Sequence, residues 1–298
     1  MDTMRITFLS HSAAFYSTRR LMDAALRLGH GIRRVDPTRV LIRSISGRAE
    51  IQEDGEVIRP PDVLLPRVGS RLTEWSLSIV DAWRRGGVGC AIDPQAIARA
   101  ADKLSCHLAL GAAGLPTLPM IAVREPAHIE DALTALGCDA FVLKRRYGTG
   151  GKTVALAPDR RSARSMLSAL IDTGEPVLVE PFIEMEHPRD LRVLVTDYEV
   201  LAACYRVAVP GEFRANVHRG GTTLPATLDA ATEALAVKAA RAVGLGFCGV
   251  DILETPDGPI ILEVNGSPGL QGIEAAVQTD LATPFVERYI RASTKLSR

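Results

Sequence analysis

Two short apolar runs near the carboxyl end, GVDIL (249–253) and ILEVN (261–265), each carry a carboxylate in the middle of what otherwise reads as a strand. An ionised carboxylate among apolar neighbours is expensive to bury unless a cation or strong hydrogen bonds compensate it. Alternation along a strand puts Glu263 and Asn265 on one face, and Asp251 supplies a third oxygen-bearing side chain. Such hard ligands suit Mg²⁺, which commonly keeps water and phosphate oxygens in its remaining positions. The plainer alternative is that both carboxylates face solvent on an antiparallel sheet. The apolar residues on both sides of each favour burial beside a metal.

A second stretch, KRRYGTGGKT (144–153), resembles a phosphate loop without being a Walker A sequence, because Arg146 stands where the first glycine belongs. Its continuation, KTVALA, is β-branched and apolar, whereas a Walker A loop leads into a helix. The stretch therefore reads as a hairpin flap, in which Gly148, Gly150 and Gly151 let backbone N–H groups approach an anion and Lys144 reaches phosphates from the preceding strand. A purely structural glycine hairpin is the competing reading. Glu180, Pro181, Phe182 and Ile183 end a later strand and can offer backbone groups and an apolar wall to a purine. In EFRANVHRGG (212–221), Arg214 and Arg219, together with Arg206 upstream, place fixed charge near a turn made by Gly220 and Gly221. Arginine forks suit phosphate and carboxylate oxygens.

Along the chain, the first hundred residues alternate strand and helix: RITFL, then a helix stopped by Gly29, then IRRVDP, PDVLLPRVG, the helix SIVDAWRRGG and a last strand VGCAID. The turn after the first strand, SHSAAFYS, has no glycine, which excludes a dinucleotide fingerprint. One or two helices are expected from Pro94 to Gly114, then short β runs around the helix RRSARSMLSALID. The strands DLRVLVTD and EVLAACYRVAV come next, then a helix ending at Gly244, the carboxylate-bearing strand pair and a terminal helix. With 298 residues, several modules are expected. The 35 basic and 35 acidic residues give no broad basic surface for nucleic acid. Five dispersed cysteines with no C-x-x-C read as buried thiols of a cytoplasmic protein rather than as a zinc site or a disulfide framework. Neither a signal peptide nor a membrane span is expected.

Taken in order, Lys103 in DKLS, Lys144 before the glycine loop, EPFI, RDLR, GEFRANVHRGG, GVDIL and LEVNGSPGLQGIE resemble the ATP-grasp ligases, most closely the RimK-like glutamate ligases. The resemblance extends to the early YSTRRL, GH, DP and PRVG. It implies an α/β and α+β chain: an N-terminal open α/β domain (1–95), a central ATP-grasp module with the flap (96–184), and a C-terminal ATP-grasp module with the metal site (185–298). It also implies that Lys103, Lys144 and the flap glycines contact the phosphates of ATP. Glu180 to Ile183 would hold adenine, Asp190 the ribose side, and Arg214, Ala215 and Asn216 phosphate. Asp251, Glu263 and Asn265 would hold Mg²⁺, as two ions, with Mn²⁺ as a substitute. The chain departs from the pattern in the flap, where Gly150, Gly151 and Lys152 replace the more usual glutamine-glycine.

The implied reaction forms an acyl phosphate on a carboxylate, then an amide on attack by an amine, with Arg206 and Arg214 stabilising charge at the phosphoryl group. L-Glutamate is the expected amine. The acceptor would be a protein tail, such as a ribosomal protein C-terminus, or a small molecule such as tetrahydromethanopterin. Arg219, Gly220 and Gly221 are the candidates for gripping a substrate carboxylate, and a homo-oligomer is expected. Rival readings are a non-catalytic ATP-binding module, a ligase for another amino acid on a carrier protein or small molecule, and a kinase. A serine hydrolase is weak, because Asn265 stands where G-x-S-x-G needs glycine.

Overall fold

The structure is a computed structural model that describes residues 3–68, 73–148, 153–215 and 220–296. The expectations for Gly150, Gly151, Lys152, Asn216 and Arg219 lie outside the described residues. Strand β1 (Arg5–Leu9) leads through helix α1 (Tyr16–Arg27) to β2 (Gly31–Val35). An antiparallel meander comes next, β3 (Val40–Ile45), β4 (Arg48–Glu53) and β5 (Glu56–Val57), before β6 (Val63–Pro66) returns to the first sheet. That sheet is parallel with order β2-β1-β6, so the chain leaves the central strand first to one side and then to the other. The sequence pattern does not announce the meander, because its strands are charged and largely exposed. Its turns carry the signal instead: Ser46-Gly47 and Asp54-Gly55 all have positive φ, as two-residue hairpin turns require.

Helix α2 (Thr73–Arg85) comes next, but VGCAID does not form the expected strand. It contributes one parallel bridge, Gly89 to Val63, before Asp93 caps α3 (Pro94–Ala101). Asp102 is extended and caps α4 (Lys103–Ala112), so the expected helical stretch is two helices. The central sheet is antiparallel, built from β7 (Ile121–Val123), helix α5 (Ile129–Leu136), β8 (Phe141–Arg145), β9 (Val154–Ala157), helix α6 (Arg160–Ile171) and β10 (Val177–Pro181), in the order β7-β10-β8-β9. The third sheet combines β11 (Arg189–Thr196), β12 (Glu199–Val207), β13 (Thr222–Pro225), helix α7 (Ala230–Val243), β14 (Phe247–Thr255) and β15 (Gly258–Asn265), in the order β13-β12-β11-β14-β15. Helices α8 (Gln271–Val277) and α9 (Ala282–Leu296) close the described chain.

Two apolar cores result. One runs from Ile6 and Phe8 through Ile97 and Cys106 to Val250, Phe285 and Tyr289, joining the first and third sheets. The other, from Val123 to Val179, belongs to the central sheet alone. The buried Tyr289 donates its hydroxyl to the Leu64 carbonyl at 2.9 Å, fixing α9 against β6. Cys90, Cys106, Cys204 and Cys248 are buried, Cys138 is half-buried, and all five are free thiols. Among the described residues no helix is long and apolar enough to cross a membrane.

A polar clamp joins the first helix to the last two. Glu274 on α8 accepts from the Tyr16 hydroxyl at 2.8 Å and from Arg20 at 3.0 and 3.1 Å, while Arg20 also reaches Asp280 at 2.8 Å. Burial pushes the Glu274 carboxyl up, but the bonds from Arg20 and Tyr16 outweigh burial and hold it below the ordinary carboxylate range. Its stabilisation is therefore present above that range and lost as pH falls through the lowered value. Arg20→Ala is expected to cost about 1–3 kcal/mol in urea melts near pH 7 and much less at an acidic pH beneath the lowered value of Glu274, where the carboxyl is protonated in both proteins. An equal loss at both pH values would show that the clamp contributes no charge.

Candidate active site

Local strand chemistry builds the floor of a wide cleft. On β14 and β15 the register pairs Gly249 with Asn265, Val250 with Val264 and Asp251 with Glu263, then slips so that Ile252 meets Ile261. The slip leaves Leu262 as an extra residue, a bulge that re-aims its neighbours, and both Leu262 and Glu263 line the cleft. Asn265 donates through Nδ2 to Glu263 Oε1 at 3.0 Å and to Asp251 Oδ2 at 3.3 Å, so the three side chains converge.

Behind them lies an ionic lattice made of cross-strand pairs. Asp190 faces Arg206 across β11 and β12, and Arg192 faces Asp251 across β11 and β14. Arg206 forks onto Asp190 at 2.6 and 2.5 Å and reaches Asp251 Oδ2 at 2.9 Å. Arg192 donates to the same Oδ2 at 2.8 Å and touches Oδ1 as an ion pair. Gly249 makes room for it: a Cβ there would lie 2.9 Å from Arg192 Nη1. The sequence assigns Arg192 no role, although Asp190 and Arg192 share a strand face by simple alternation.

The cleft encloses about 1120 Å³ including its open mouth. Its polar end holds Lys103, Lys144, Gly148, Asp190, Arg206, Arg214, Asp251 and Glu263. Its apolar end holds Leu118, Val142, Phe182, Ile183, Phe213 and Leu253. Pro181 and Ala215 also line it. Phe182 meets Phe213 edge-on at 5.8 Å; neither Phe213 nor Leu118 stands out in the sequence as a wall residue. Lys144 pairs with the buried Glu180 at 2.5 Å. Glu180 thus presents its side chain to a cation, in addition to the backbone role expected of it. Gly220 and Gly221 are not among the lining residues, and Gly220 is exposed.

The glycine loop joins the strands of an antiparallel hairpin: β8 pairs with β9, with Lys144 opposite Val154. Gly148, at φ 141, admits no side chain, since a Cβ would meet Thr153 Oγ1 at 2.4 Å. Arg146 does not take the first glycine's place at all. It forks onto Asp102 at 2.8 and 2.6 Å, while Lys103 donates to the Gly148 carbonyl at 2.6 Å, so the hairpin root is tied to the start of α4. From the opposite module, Arg214 donates to the Val154 carbonyl at 2.9 Å while forking onto Glu212 at 2.8 and 2.7 Å.

These donors fit a hard divalent cation. Asp251 Oδ1 is buried and meets the Arg192 Nε as an ion pair. Burial pushes the Asp251 carboxyl up to about 6 against the pull of Arg192 and Arg206. At Glu263, burial is outweighed by Lys103, the Asn265 amide, Arg192 and Lys144, which hold it near about 2. Among the described residues no group of three or more His, Cys, Asp or Glu side chains is placed to hold a metal. The candidate set therefore consists of two carboxylates and one amide, whose oxygen would turn toward the ion.

Residues 100–289 match the RimK-like ATP-grasp domain, and residues 4–97 match the RimK pre-ATP-grasp domain. The chain belongs to the RimK-like ATP-grasp family. Among relatives of this RimK-like chain, a protein named probable alpha-L-glutamate ligase from Thioalkalivibrio sulfidiphilus is 38% identical over 292 residues, covering 97% of each chain. One of the same name from Halorhodospira halophila is 38% identical over 284 residues, covering 95% of this chain and 94% of its own. The fold is that of solved ATP-grasp proteins. A RimK domain protein from Sphaerobacter thermophilus superposes with a TM-score of 0.74 at 21% identity, covering 96% of this chain and 99% of its own. The ligase PsnB, in complex with a phosphomimetic variant of its minimal precursor, Mg and ADP, superposes at 0.72 and 20% identity, covering 98% and 99%. The RimK-like chain is an ATP-dependent carboxylate–amine ligase.

The hairpin root gives a test. Asp102→Asn and Arg146→Met should each raise the KM for ATP about tenfold, and the double variant should be little worse than either single one, because both remove one interaction. Losses that simply add would mean the pair does not act as a unit.

Proposed function

We propose that the protein joins L-glutamate to a carboxylate-bearing acceptor through an acyl phosphate, releasing ADP. The observation that carries this reading is the convergence of Asp251, Glu263 and Asn265 at the floor of a cleft that the glycine hairpin faces from the central module. The names of relatives at 38% identity support glutamate as the amino acid. A module that had lost catalysis would have little reason to keep three oxygen-bearing side chains converged on one cleft.

In this reading the apolar slot of Leu118, Val142, Phe182, Ile183 and Phe213 takes the adenine, and Pro181 and Ala215 border it. Asp190, steadied by Arg206, stands at the ribose side. Lys103 and Lys144 face the phosphates from the hairpin side, each already oriented by a bond, to the Gly148 carbonyl and to Glu180. Asp251, Glu263 and Asn265 hold Mg²⁺, as two ions or with Mn²⁺ in its place; when bound, it supplies charge neutralisation at the phosphoryl oxygens. Arg206 adds a buried, immobile charge whose pKa is raised by Asp251 and Asp190 against the cost of burial. Arg214 ties the third sheet to β9, and its charge would offset that of the phosphoryl oxygens.

A carboxylate oxygen of the acceptor attacks the terminal phosphorus and ADP departs; the amine of glutamate then attacks the acyl carbon and inorganic phosphate departs. The chain needs no nucleophilic side chain for either step, only position and charge. The acceptor class is a protein tail or a small molecule such as a pterin, and a cytoplasmic homo-oligomer is the proposed working form. Incubation with ATP, Mg²⁺ and each amino acid over a cell extract should give products heavier by whole glutamyl residues in mass spectra, and only with glutamate. Glu263→Gln should lower glutamate-dependent ADP release about a hundredfold or more while leaving the melting temperature nearly unchanged. Undiminished release would remove Glu263 from the site.

A further inference from the structure

Arg67 comes directly after β6, in the sequence PRVG, and has no place in the machinery of the cleft. Its backbone N–H bonds the Leu9 carbonyl at 2.9 Å, so it sits beside the carboxyl end of β1. Its Nη2 donates to the Pro268 carbonyl at 2.8 Å, its Nε is buried without a partner, and among the described residues no carboxylate pairs with it. Desolvation alone pulls its pKa down to about 10, whereas that of Arg206 in the cleft lattice is raised by its carboxylate partners. A guanidinium offers five donors, and a clamp on one carbonyl uses one of them and needs no charge. The residue as a whole is half-buried, but its Nε is shut off from water, and a guanidinium edge held so without an anion is costly unless an anion arrives.

The topology gives a second, independent reason. In the parallel order β2-β1-β6 the chain moves to opposite sides of β1, and ligands of open α/β sheets sit outside the carboxyl ends of the strands at such a switch point. Arg67 does not line the cleft itself but is linked to its floor through Pro268. Pro268, which it holds, packs 3.2 Å from where a Cβ on Gly249 would stand, and Gly249 is paired with Asn265.

We propose that Arg67 anchors a substrate carboxylate in the crevice between β1 and β6, so that the N-terminal sheet supplies one wall of the substrate site. The proposal rests on the ligase reading, and the carboxylate belongs either to the incoming amino acid or to the acceptor. Two variants separate it from a structural clamp. Arg67→Gln keeps a donor for the Pro268 carbonyl and removes the charge; Arg67→Lys keeps the charge and loses the fork. With L-glutamate as the amine and N-acetyl-L-glutamate as the acceptor probe, Arg67→Gln should raise the KM of one of the two about ten- to a hundredfold, leave the KM for ATP within about twofold, and leave the melting temperature in place. Arg67→Lys should recover part of the loss. The substrate whose KM rises identifies the bound carboxylate. Unchanged constants, or a parallel loss for all three substrates together with a lower melting temperature, would reduce Arg67 to a clamp. If no amino acid supports ADP release by the wild type, the ligase reading fails, and calorimetric titration of glutarate into the protein with Mg²⁺ and ADP tests the subsite alone. Saturable binding lost in Arg67→Gln would uphold it, and no binding to the wild type would overturn it.

Discussion

The lattice Asp190–Arg206–Asp251–Arg192, strung across three neighbouring strands, is the constraint around which the functional end of the molecule is arranged. Buried ion pairs seldom add net stability over a well-packed apolar alternative, and breaking one leaves an uncompensated charge. Their use here is positional. Two arginines fix the rotamer of Asp251 from behind, and the bulge at Leu262 brings Glu263 to face it. Asp251 and Glu263 are thereby presented together at the cleft.

The hairpin supplies the opposite wall, and its attachments at both ends give that wall an accurate position. Its root is fixed to the α3–α4 junction through Asp102 and Arg146, and its returning strand is held by Arg214 from the third sheet. The central sheet has its own apolar core, separate from the one shared by the other two sheets. Movement of the central module therefore disturbs chiefly polar contacts, which exchange with water at small net cost, rather than apolar packing.

Alternation and helical period, both local properties, made most strands and helices legible in the sequence, along with the shared face of Glu263 and Asn265. That Asp251 stands opposite Glu263 is a matter of register across a bulge, which no single strand records. Arg192 escaped for the same reason: its partner is 59 residues away. The exposed β3–β5 meander lacks an apolar pattern, so only its turns announced it. VGCAID failed in the other direction: it lies at the edge of β6 but keeps a single bridge there, Gly89 to Val63, before Asp93 turns the chain into α3. Arg146 looked like a defect in a phosphate loop because the sequence cannot show that its charge is already committed to Asp102.

The central claim is that the β14–β15 floor binds the divalent ion that serves the nucleotide. Crystals grown with Mn²⁺ and a non-hydrolysable ATP analogue, measured at the manganese absorption edge, test it directly. The account predicts an anomalous peak bonded to Asp251, Glu263 and Asn265 and to the analogue's terminal phosphates. A peak held elsewhere, with those three side chains still turned only to one another and to the arginines, would contradict it.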